Sequence, residues 1–84
     1  MTSTIATKAH KRLITLLIEA RERAGLRQAQ VAKLLGRSQT WIARVEGGRR
    51  RIDVIEFYRM AKLFRLDPKR LVGRIWRLLG RGGD

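Results

Sequence analysis

With 84 residues the chain makes one domain with a single small core, marginal in the surface it can bury. Its 20 Lys and Arg, mostly Arg, stand against 7 Asp and Glu, and a formal charge of +13 calls for a polyanionic partner. The absence of cysteine excludes a disulfide framework and a thiolate metal site, and apolar runs of only a few residues exclude a membrane span.

Residues 1–12 are polar, lack the apolar run and cleavage site of a secretory leader, and read as a partly helical extension. From about residue 7 to 24, Leu13, Ile14, Leu17 and Ile18, with Leu16 and Ala20, form a one-sided helical stripe that Gly25 ends. A second helix is expected over residues 28–35 and a third over 38–46, separated only by Gly36 and Arg37. Gly36 can take the positive φ of a tight turn, and Ser38 can cap the next helix by accepting one of its unpaired amides. Two helices joined by so short a Gly-containing turn make a helix-turn-helix, whose second helix can lie in a DNA major groove. In that helix Gln39, Thr40 and Arg44 project outward and Ile42 and Val45 inward, and outward Gln and Arg are side chains that pair with base edges. Arg37 and Ser38 before it, and Arg49, Arg50 and Arg51 after it, are expected to meet phosphates.

Asp53 followed by Glu56 fits a capping box, opening a fourth helix with Val54, Phe57, Met60, Ala61 and Phe64 on its inner side. Asp67 and Pro68 restart the chain as a fifth helix, an N-cap followed by proline at the first helical position. Leu71, Ile75 and Leu78 make one apolar stripe that can seal the core. Val72, Trp76 and Leu79 make a second, displaced by about 100°. That second face implies either a homodimer interface anchored on Trp76 or a first helix folded over Trp76 within one chain. Residues 81–84 read as a flexible tail, leaving an all-α, five-helix domain over residues 13–80 with no strand, repeat or linker.

The spacing from Leu13 to Leu71 resembles the lambda-repressor-like (XRE or Cro-type) helix-turn-helix family. The residues that carry it are Gly25-Leu26, Gln28, Ala32, Gly36, Ser38, Ile42, Glu46, Gly48, Ala61 and Leu71. The resemblance implies a five-helix DNA-binding domain in which Gln28 bonds a phosphate, Gln39 and Thr40 read bases, and Arg44 reads one turn further on. It also implies an ion pair between Arg21 and Glu46, worth about 1 kcal/mol if partly exposed. Three positions depart from the family: Arg27 replaces the usual Ser cap, Gly47 the common Asn, and Trp41 a smaller residue. Trp41 can pack on the core rim or touch DNA.

Nothing in the sequence suggests an enzyme or a cofactor. His10 is the only histidine and has no Cys or carboxylate beside it, while Asp53, Asp67 and Glu56 read as helix caps. The expected function is a dimeric, sequence-specific regulator of double-stranded DNA, a repressor on a palindromic operator, working in the cytoplasm with the nucleoid of a prokaryote or phage. The alternatives are an antitoxin gripping a toxin protein and a nucleic-acid binder without sequence preference; a toxin or anti-repressor would be the protein partner.

Overall fold

The first helix starts at Thr7, whose hydroxyl accepts the His10 amide at 3.1 Å, so that α1 spans Lys8–Arg23. The computed structural model describes residues 7–80, with side chains as far as residue 77. Four more helices follow: α2 (Gln28–Leu35), α3 (Gln39–Glu46), α4 (Val54–Leu63) and α5 (Pro68–Gly80), with no strand among the described residues. The expected boundary between residues 12 and 13 falls inside α1, because Ala9 and His10 already lie in the buried interior. The rest of the extension, residues 1–6, and the tail, residues 81–84, lie outside the described residues.

Local chemistry explains each start and stop. Arg27 has no acceptor to cap α2, and Gln30 compensates: its Oε1 accepts the Arg27 amide at 2.8 Å, half of a capping box. Gly36 ends α2 at φ 68°, and the Arg37 amide bonds back to the Ala32 carbonyl at 2.8 Å. A side chain there would cost about 1 kcal/mol or more in left-handed strain, which is why the turn needs glycine. Ser38 Oγ then accepts the Trp41 amide at 3.1 Å and fixes where α3 begins. Asp53 and Glu56 form a reciprocal box, each carboxylate accepting the other's amide, at 2.7 and 2.9 Å. At the end of α4 the left-handed position falls on Arg65 (φ 58°), held by the Leu66 amide on the Ala61 carbonyl at 2.8 Å.

The core forms where α1 crosses α3 and α5 and where α2 lies against α3. Leu17, Val31, Ile42, Val45 and Met60 are its fully buried centre, and the small Ala32 side chain, also buried, lets α2 and α3 approach closely. On α4, Met60 and Ala61 are buried and Phe57 half-buried, and Phe64, just past its end, is buried as well. Val54, expected on the inner side, is 79% exposed. As the first residue of α4 it lies beyond the packed core, beside an apolar groove shared with Leu13, Ile52, Val72 and Ile75. On α5, Leu71 is buried and Ile75 half-buried, whereas Val72 and Trp76 are exposed. At 73% exposure Trp76 is not covered by α1, so the intrachain alternative is not the one the chain adopts. The side chains of Leu78 and Leu79 lie outside the described residues.

Candidate nucleic-acid interface

One face of α3 is spent on the core and the other is open. Trp41, Ile42 and Val45 are buried, and Gln39, Thr40, Ala43 and Arg44 are exposed. Thr40 and Arg44 are one turn apart, so the three expected base-reading side chains share a surface strip. The side chains of Gln39, Thr40 and Arg44 make no hydrogen bond to another described residue, which leaves their donors and acceptors available. Ala43 lies in the same strip and was missed by sequence reasoning because it has no hydrogen-bonding group. Its methyl is of the kind that packs against a thymine methyl.

Around this strip lie further basic side chains. Arg49 and Arg51 are exposed in the loop after α3. Arg37 and Arg50 are held: their guanidinium carbons lie 4.9 and 5.2 Å from the centroid of the Trp41 ring. Both also reach Glu56, Arg37 Nη2 at 2.7 Å and Arg50 Nη1 at 3.3 Å. Of the two roles open to Trp41, the structure shows packing, with its ring buried beneath these arginines and its indole N–H without a partner. Ser38 spends an oxygen lone pair on its cap and keeps its hydroxyl proton to donate. The role of Glu56 beyond the capping box was not legible in the sequence, since its partners stand 19 and 6 residues away, with no helical spacing to connect them.

Behind the strip, Glu46 ties three elements together. Arg21 on α1 donates to it through Nε at 2.7 Å and Nη2 at 3.1 Å, while Arg21 Nη1 donates to the Leu26 carbonyl at 2.8 Å. Gln28 Nε2 donates to the same carboxylate at 2.9 Å. One amide N–H of Gln28 is thus committed inside the protein, and the second is what remains for a phosphate. With side chains only 12% and 7% exposed, the Arg21–Glu46 pair is drier than the partly exposed one anticipated from sequence. Among the described residues no group of His, Cys, Asp and Glu can hold a metal ion, and no helix is long and apolar enough to cross a membrane.

Comparison with known proteins finds similarity to a family and to solved structures. A family model described as a helix-turn-helix domain fits residues 13–84. Among solved structures, an XRE-family like protein from Pseudomonas syringae pv. tomato str. DC3000 is similar at a TM-score of 0.76 and 36% sequence identity, over 83% of this chain and 85% of that one. None of the curated proteins matches the chain.

Proposed function

The chain belongs to the XRE-like helix-turn-helix family, a family of DNA-binding regulators, and from that premise we infer that it is a sequence-specific repressor of transcription. The observation that carries this reading is the outer face of α3, where Gln39, Thr40 and Arg44 stand exposed and uncommitted on a helix whose other face is locked into the core. Gln pairs bidentately with adenine and Arg with guanine, so these side chains are suited to base edges. The phosphates flanking them fall to Arg37, Ser38, Arg49, Arg50, Arg51 and the second N–H of Gln28. A formal charge of +13 supplies the long-range attraction. It acts without a cofactor or catalytic chemistry, in the cytoplasm with the nucleoid. Gln39→Ala tests the assignment: discrimination should fall by about 1–3 kcal/mol at one base position per half-site. The melting temperature should hardly move, because Gln39 is exposed on the outer face of α3. Unchanged base preference would remove α3 from the groove.

The repressor binds a palindromic operator as a homodimer. Supporting this are Val72 and Trp76, 52% and 73% exposed on α5, with Val72 also lining the apolar groove that Val54 borders. An isologous contact across this face buries the indole of each copy against the other. Sedimentation without DNA checks it: the wild-type chain should be a dimer and Trp76→Ala a monomer at the same concentration. A Trp76→Ala dimer of unchanged affinity places the interface elsewhere.

A further inference from the structure

We propose that Trp41 and Glu56 are positioning residues that hold Arg37 and Arg50 as one preformed clamp for a DNA phosphodiester. The inference rests on the DNA-binding reading of α3 and adds to it two residues that touch no DNA themselves. Arg37 directly precedes the cap of α3 and Arg50 comes from the loop that follows it, yet both guanidiniums converge on the Trp41 ring, at 4.9 and 5.2 Å. The same two groups meet the Glu56 carboxylate, Arg37 at 2.7 Å and Arg50 at 3.3 Å. Glu56 is itself fixed, because Oε1 accepts the Asp53 amide at 2.9 Å and its side chain is only 7% exposed.

The anchors are buried and the cations they hold are not: the Arg37 and Arg50 side chains are each 40% exposed. A guanidinium has five N–H donors. In each arginine the side-chain bonds to described residues engage a single nitrogen, Nη2 of Arg37 and Nη1 of Arg50, so the other edges remain to grip phosphate oxygens. One carboxylate between two guanidiniums leaves the cluster with a net positive charge, so it attracts an anion while its geometry is already set. Free arginines lose rotamer freedom when they bind, and these two have largely given it up beforehand.

Preorganisation and simple charge counting predict opposite outcomes for Glu56→Gln. The amide oxygen still accepts the Asp53 N–H, and Gln serves in a capping box as Glu does, so α4 keeps its start. Removing the negative charge raises the net charge of the protein, and charge counting alone would tighten DNA binding. A clamp that loses its anchor must instead order two long side chains on binding, which weakens affinity about tenfold. The experiment is titration of a fluorescent duplex carrying the selected site, and of a random duplex, with the full chain across a salt series. Glu56→Gln should bind both duplexes about tenfold more weakly, with base preference and salt slope unchanged because the same phosphates are met. In an Arg37→Ala/Arg50→Ala background it should cause no further loss. Trp41→Phe, which keeps an aromatic face and removes the orphaned indole donor, should retain affinity and melting temperature, whereas Trp41→Leu should behave as Glu56→Gln does. Binding by Glu56→Gln as tight as wild type or tighter overturns the clamp, as does an equal loss in the background lacking both arginines. A wild-type chain that binds neither duplex overturns the DNA-binding reading as well, and is recognised before any variant is measured.

Discussion

Glu46→Ala is expected to destabilise the domain by about 3–5 kcal/mol, because it leaves a largely buried guanidinium without its counter-charge. For a domain of this size that lowers the melting temperature by roughly 15 °C or more. The carboxylate accepts Arg21 through two nitrogens and Gln28 through a third, so its loss strands donors on both α1 and α2. Its position sharpens the expectation: an acidic side chain in the last turn of α3 opposes the helix dipole, and pairing must outweigh that penalty. Thermal unfolding monitored by far-UV circular dichroism measures the change. A double-mutant cycle with Arg21→Ala should give a coupling of about 0.5–3 kcal/mol. A melting shift of only a few degrees, or no coupling, would mean that the three helices are held together by apolar packing alone.

Replacing Arg49, Arg50 and Arg51 together with Ala should weaken binding to all duplexes alike. The slope of log affinity against log salt should fall by about 0.9 for each phosphate that is no longer neutralised. Base preference should not change, because none of the three lies in the exposed strip of α3. The three are not equivalent, since Arg50 is anchored to Trp41 and Glu56 while Arg49 stands exposed. Arg50→Ala should therefore lower affinity more than Arg49→Ala does. Altered sequence preference at an unchanged salt slope would contradict a backbone role for the triplet.

The helices were legible because each combines a one-sided apolar stripe with local punctuation, such as Gly36 and Ser38 around the turn and the Asp53–Glu56 box. The outward set of α3 followed from the same periodicity. Long-range polar contacts were not legible. Nothing in the spacing announces that Glu56 collects Arg37 and Arg50, or that Gln28 turns one amide N–H inward to Glu46. Val54 misled because periodicity assigns a face to the whole helix, whereas burial depends on where that helix meets its neighbours, and its first residue overhangs the core. Arg65 hid the end of α4, since the left-handed position there carries a side chain where glycine is the usual signal.

The central claim, that α3 reads base sequence in duplex DNA, is tested most directly by selecting binding sites from a pool of random duplexes with the purified wild-type chain. The expected result is a palindromic motif whose half-sites are centred about one helical turn, or ~34 Å, apart. It should be bound at least 10³-fold more tightly than random duplex at physiological salt, the lower end of the usual specificity range. A recovered pool indistinguishable from the input, bound with the salt dependence of a simple polycation, would contradict it.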